Sequence, residues 1–335
     1  MGQQKQIDVI SVGDIVTDDF IKLLDDQARV DDDNGTKRIS MEFGLKLPFD
    51  HSEVLIGVGN APNAAVNFAK LGLSSSLITN LGNDQRGRDM VVELEKKNVG
   101  THFVKQHAGH KSNYHYVLWY GEERTILINH EPYPYHWPHI TPREVPKWVY
   151  FSSIAETAEA YHDELTAWLE KEPSVKLAFQ PGTFQIKLGA ERLKALYART
   201  ELLALNREEA VLVTGGDYHN LHDLFDKLHA LGPKIVLITD GPAGSYASDG
   251  TNRYKMPIYP DPSAPKERTG CGDAYTSTFV AALIKGYPIE GALQWAPITP
   301  TNVVQHVGAQ QGLLDENTLK EWLAKAPDWY KVERI

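Results

Sequence analysis

The stretch ERTGCGDAYTSTF, residues 267–279, sets two glycines and the only cysteine of the chain against an aspartate and an apolar run. Ala274, Phe279, Ala282 and Leu283 recur at helical spacing, so the sequence predicts a helix that begins near Gly272 and stops at Gly286. Glycines ahead of a helix let backbone amides approach a ligand closely. With the positive end of the helix dipole, those unpaired N–H groups make an anion site, and phosphate is the anion such turns most often serve. Asp273 then has two readings, a carboxylate that compensates the dipole or a proton acceptor beside a phosphate cradle. Cys271 reads as a small turn residue, because no adjacent histidine would draw off its proton.

Upstream of this helix the chain alternates. IDVISV (7–12) is a short β-branched run ended by Gly13. PNAAVNFAKLG reads as helix, SSLITNLG as strand and GRDMVVELEKKNVG as helix. After residue 147 the alternation resumes with KWVYFSS, VKLAFQP, ELLALN and KIVLITDG as strands between helical runs, as βαβ units require. The strand runs are nearly continuously apolar, which suits a parallel sheet covered on both faces. Two segments interrupt. From Asp25 to Ser52 the sequence turns acidic and turn-rich, an insertion or flap. Residues 113–129, NYHYVLWYGEERTILIN, read as two strands joined at Gly121, a hairpin able to pair with the flap.

Bulk properties narrow the function classes. The chain has 335 residues, 42% of them hydrophobic and 23% charged, and no apolar run of membrane-spanning length. A net charge of -10 argues against nucleic acid as a partner. The opening MGQQKQIDVISVG lacks a basic region followed by an apolar one, so a cytoplasmic location is expected, with no membrane partner. One cysteine excludes an internal disulfide framework.

Several segments, in order, resemble the ribokinase-like carbohydrate kinases, the PfkB family. Its C-terminal signature runs approximately D-T-x-G-A-G-D, against Glu267-Arg268-Thr269-Gly270-Cys271-Gly272-Asp273 here. The resemblance makes Asp273 the catalytic base and the amides of Gly270, Cys271 and Gly272 an anion hole. GVGNAPNAAVNFAKLG (57–72) resembles the N-terminal signature, which puts Gly59, Asn60 and Asn63 at the acceptor, with Val58 in the first glycine's place. GDIVTD (13–18) resembles the opening G-x-x-x-x-D and gives Asp18 the role of gripping substrate hydroxyls.

ELLALNREEA resembles the family's N-x-x-E segment, with Asn206 at the phosphates and Glu209 holding Mg²⁺ through water. Read from the residues alone, the same segment is an Asn cap with an acidic first turn. LITDGPAGSYA, with Thr239, Gly241 and Gly244, and NVVQHVGAQQG, with Asn302, resemble the nucleotide-side turns. Glu267 and Arg268 depart from the signature, and both bear on any loop for a monovalent cation such as K⁺.

The resemblance implies one α/β kinase domain over 1–335. Its fold would be three-layered α/β/α with a mostly parallel central sheet and a small β-sheet lid from segments near 14–56 and 101–130. It further implies ATP and Mg²⁺, phosphoryl transfer to a hydroxymethyl group of a sugar or an adenosine-type nucleoside, and a homodimer through the lid. Val117 and Trp119 are the residues expected on that pairing face. Arg86 and Arg88 read either as surface charge or as ligands of an already phosphorylated sugar. Two rivals from other classes are an NAD-dependent oxidoreductase and a non-catalytic nucleotide-binding protein. GVGNAP nearly spells a dinucleotide fingerprint, but Pro62 takes the third glycine's place and SSLITN ends on Asn80 where an acidic residue is needed. A non-catalytic protein has no use for the base at 273.

Overall fold

Val9–Val12 is buried at every position and lies between Trp148–Phe151 and Ser75–Gly82, each parallel to it. A strand with no wet face shows no polar alternation. The computed structural model describes residues 6–121 and 123–335. Among these, ten strands form one sheet. Their order is Glu333–Arg334, Arg253–Met256, Ser245–Ser248, Ile235–Thr239, Leu202–Asn206, Lys176–Phe179, Trp148–Phe151, Val9–Val12, Ser75–Gly82 and Val104–His107. Pairing is parallel from Ile235–Thr239 to Val104–His107 and antiparallel through the remaining strands.

The chain leaves Val9–Val12 in both directions, so the strand order reverses there, and sheets of this kind bind ligands outside the carboxyl ends of their strands at such a reversal. Gln180, Asn206 and Thr239 stand at those ends.

Alternate residues of each strand face opposite layers. Ile10, Phe151, Phe179 and Leu203 pack with Tyr161, Leu165, Leu196 and Phe225 from helices on one side. Val9, Trp148, Ala178 and Leu202 pack with Phe68, Phe279, Val280 and Leu293 on the other. The helix Cys271–Ile284 is buried from Asp273 through Ala282 and so has no wet face over that span. Where it meets Asn60–Lys70, the Asn67 amide donates to Ser277 Oγ at 2.8 Å and Thr278 Oγ1 at 2.9 Å, which satisfies polar groups that burial would otherwise strand.

A four-stranded lid sheet has the order His51–Val58, Val16–Lys22, Tyr114–Tyr120, Glu123–Leu127. The hairpin turns at Gly121 as its sequence indicates, yet it pairs in parallel with Val16–Lys22 rather than with the flap. Most of the 25–52 segment folds on itself as Ala28–Asp33 against Thr36–Met41. Asn34 and Gly35, with φ of 51° and 85°, make the two-residue turn that favours such closure. Val117 and Trp119 also require correction. Val117 is 0% exposed within the chain, and the Trp119 ring is taken by Lys22 and His51. On the other face the row across the strands is Val54, Asp19, Tyr116 and Leu127, of which Val54, Tyr116 and Leu127 are 49%, 46% and 51% exposed. Among the described residues no helix is long and apolar enough to cross a membrane.

Candidate active site

Asp273 lies in the first turn of Cys271–Ile284 and is 6% exposed. Its Oδ1 accepts from the Asn60 amide at 2.8 Å, its Oδ2 from the Asn63 amide at 2.9 Å, and Gln180 Nε2 donates to Oδ1 at 3.4 Å. Asn60 and Asn63 stand three apart at the start of their helix, so both reach the same carboxylate. Burial pushes the Asp273 carboxyl above its ordinary value, while the Asn63, Asn60 and Gln180 donors pull the other way. A carboxylate flanked by neutral donors and no bonded cation is poised to take a proton.

The loop ahead of this helix is fixed by contact. Gly270 has φ 76°, and a Cβ there would fall 2.1 Å from that of Ala309, so the turn over residues 308–312 packs directly on glycine. Gly59, at φ 120°, precedes Asn60 and lies against the Asp14 carbonyl, 2.8 Å from where a Cβ would stand. The Cys271 amide makes a long 3.4 Å bond to the Arg268 carbonyl. Burial pushes the Cys271 thiol up to about 12, which suits a turn residue rather than a nucleophile.

Two cavities meet at this loop. One, of about 250 Å³, is walled by Asn60, Arg124, Gln180, Asn206, Glu209, Gly270, Gly272 and Asp273. The other, of about 440 Å³, is walled by Gly241, Gly244, Tyr259, Cys271, Tyr275, Pro297 and Thr301. Asn206, Thr239, Arg268 and Gly272 border both. The larger has the size and apolar walls of a nucleotide-base site.

Asn206 and Glu209 form the cap that the residues alone indicate. Asn206 Oδ1 accepts from the Glu209 N–H at 2.8 Å and Glu209 Oε2 from the Asn206 N–H at 2.9 Å, a capping box that also fixes both side chains at the cavity wall. Burial raises the Glu209 carboxyl, the Asn206 N–H lowers it, and the charges of Glu208 and Asp273 raise it further. A cation placed between Glu209 and Asp273 relieves that repulsion, so the donor set fits Mg²⁺. Among the described residues no group of three or more His, Cys, Asp and Glu side chains is placed to hold a metal ion alone. A divalent ion here would share its shell with phosphate oxygens.

Asn302 does not border either cavity, because its amide donates to the Gly312 carbonyl at 2.8 Å and pins the 308–312 turn. Asp18 is buried on Val16–Lys22, with His115 Nδ1 3.2 Å from its Oδ1. His115 stacks on His130, whose Nδ1 is 3.2 Å from Asp14 Oδ2, and Tyr135 Oη donates to Asp14 Oδ1 at 2.8 Å. This second cluster makes no hydrogen bond to Asp273.

Sequence reading missed Gln180, Gln310, Arg124 and Asp14. Gln310 donates to Asn63 Oδ1 and to the Gly57 carbonyl, both at 2.9 Å, and so orients the asparagine that holds Asp273. The available signal was position: Gln180 directly follows an apolar strand, and Asp14 follows Gly13 at the end of another.

Residues 53–316 match the pfkB family carbohydrate kinases. The chain belongs to that family. It is therefore a phosphotransferase of the sugar and nucleoside kinase class, with an alcohol group as acceptor. The ATP-dependent 6-phosphofructokinase of Thermoanaerobacterium thermosaccharolyticum is 24% identical over 345 residues, 94% of each chain. Arabidopsis thaliana ribokinase, solved in complex with ribose and ATP, aligns with a TM-score of 0.77 at 20% identity, over 95% of this chain and 99% of that one. The nucleoside kinase of Methanocaldococcus jannaschii gives a TM-score of 0.77 at 17% identity, over 96% and 100%. These two structures establish the ribokinase fold for this carbohydrate kinase. Asp14, Asp18 and the 28–41 hairpin precede the family match.

Proposed function

We propose that this carbohydrate kinase moves the γ-phosphoryl group of ATP onto a hydroxymethyl group of a neutral sugar, with Asp273 as general base. The observation that carries the reading is a buried Asp273, held by Asn60 and Asn63, in a cavity that opens past Gly272 onto a nucleotide-sized one. The acceptor hydroxyl gives its proton to Asp273 as its oxygen bonds to the γ-phosphorus. The bond from that phosphorus to the bridging oxygen breaks, and its electron pair leaves on ADP. Amides of residues 270–272, at a helix N-terminus, stabilise the phosphoryl oxygens. Glu209 and Asn206 would hold Mg²⁺, which supplies positive charge to the phosphates when bound. Thr239, Gly241 and Gly244 border the nucleotide, and the whole chain, lid included, acts as one catalytic unit.

The acceptor reading rests on charge. The Asp14, Asp18, His115 and His130 cluster contains carboxylates and imidazoles, which suit hydroxyls, and among the described residues no lysine or arginine is paired with it. Arg86 lies over the Tyr114 ring, 4.2 Å from its centroid, and Arg88 donates to Gln85, so both are engaged outside this cluster. An ADP-release assay across ribose, fructose, their phosphates, sugar acids and nucleosides tests this. Turnover is expected with a neutral sugar, and a preference for fructose 6-phosphate or for nucleosides would overturn the acceptor assignment. The exposed row Val54, Tyr116 and Leu127 supports a homodimer in which two lids pair face to face.

A further inference from the structure

Lys97 sits just past the helix Gln85–Lys96, and its Nζ donates to Gln310 Oε1 at 2.7 Å. Gln310 in turn donates through Nε2 to the Gly57 carbonyl and to Asn63 Oδ1, each at 2.9 Å. Asn63 passes the same sense on, since its Nδ2 donates to Asp273 Oδ2 at 2.9 Å. Residues far apart in sequence thus form one file of hydrogen bonds that runs inward to the carboxylate. Gln310 and Asn63 are buried, and the Lys97 side chain is 29% exposed.

The direction of the file is set by groups that cannot reverse. An ammonium can only donate and a peptide carbonyl can only accept, so Lys97 on one side and Gly57 on the other hold the Gln310 amide in a single orientation. With the Gln310 NH2 aimed at it, the oxygen of Asn63 faces Gln310 and its own NH2 faces Asp273. Gln180 differs, because its Oε1 accepts from the Tyr150 hydroxyl, a group able to donate or to accept.

We propose that Gln310, anchored between Lys97 and the Gly57 carbonyl, is a positioning residue that commits Asn63 to donate to Asp273. Its value to the enzyme rests on the reading of Asp273 as the base. An amide oxygen turned toward Asp273 would repel the ionised carboxylate, whereas an N–H supports it, so the file keeps a deeply buried carboxylate ready to take a proton. Glu93 lies 3.6 Å from Lys97 Nζ, with Lys70 and Lys96 nearby, and Glu209, Arg124, Arg268, Cys271 and Tyr150 stand around Asp273. The test therefore has to separate the file from the charges around it.

The test follows the Asp273 carboxyl itself, by NMR titration of the full chain labelled with ¹³C-carboxyl aspartate, with Asp273→Asn identifying the signal. Gln310→Glu keeps the shape and the Lys97 contact but offers Asn63 oxygen alone, so Asn63 must turn its NH2 away from Asp273. The midpoint should rise by about one pH unit or more above wild type, the scale of one hydrogen bond to a charged group. Gln310→Met imposes no direction and should titrate close to wild type, whereas a packing role would make Met at least as disruptive as Glu. Asn63→Ala removes the link, so adding Gln310→Glu to it should move the midpoint no further, while a through-space effect of the new charge would persist. The proposal fails if Gln310→Glu leaves the midpoint in place, if Gln310→Met moves it as far, or if the shift survives in the Asn63→Ala background. The base reading is judged separately: if the midpoint moves in Gln310→Glu and the acid limb of kcat/KM does not move with it, Asp273 is not the base and the positioning role stands.

Discussion

Asp273 shows how a fold can shift the titration of one carboxylate by burial. Burial opposes its ionised form, three neutral amides support it, and the balance leaves its pKa raised. A base must be deprotonated to act, so activity is full above that raised pKa and falls as pH drops through it. The expected profile of kcat/KM has an acid limb with a midpoint above the ordinary carboxylate range, falling about tenfold per pH unit. Glu209 is also raised, and Arg124, Arg268 and Tyr150 lie around the same space. Glu209→Gln separates the two acids, since the limb should persist in that variant. A profile flat down to the ordinary carboxylate range would contradict the assignment.

At the scale of elements, the lid sheet has two unlike faces. One face carries Asp18, His115, Val117 and Arg124 in register and is largely buried. The other exposes Val54, Tyr116 and Leu127 in one row across the strands, with Asp19 between Val54 and Tyr116. Sedimentation velocity at micromolar concentration should find a dimer that Tyr116→Asp dissociates, because a second carboxylate beside Asp19 meets only like charge from its symmetric copy. Val117→Asp should instead destabilise the lid itself, since that side chain is enclosed within one chain. A monomeric wild-type chain would contradict the dimer. This division of faces was not legible in the sequence. Val16–Lys22 reads VTDDFIK, and its paired acids mask the alternation that its apolar residues would otherwise show.

For the molecule as a whole, legibility followed the range of the interactions. The parallel strands were readable because burial on both faces leaves apolar runs, and the helix at 271–284 because glycines and an aspartate mark its start. Asn60, Asn63, Asn206 and Glu209 came from resemblance, and the structure brings all four to the cavity of Asp273 or to Asp273 itself. Gln180 and Arg124 could not be read, since a single polar residue carries no period and its partner lies 93 or 143 residues away. Sheet, lid and loop nonetheless converge on the cavity of one carboxylate, Asp273. The most direct measurement of its role is kcat for acceptor-dependent ADP release by Asp273→Asn, using the best acceptor of the panel and with ATP binding as the control. With Asp273 as the base, the expected result is a loss of roughly 10² to 10⁴ in kcat with ATP affinity largely kept. A loss of only a few-fold, with folding intact, would show that Asp273 is not the base.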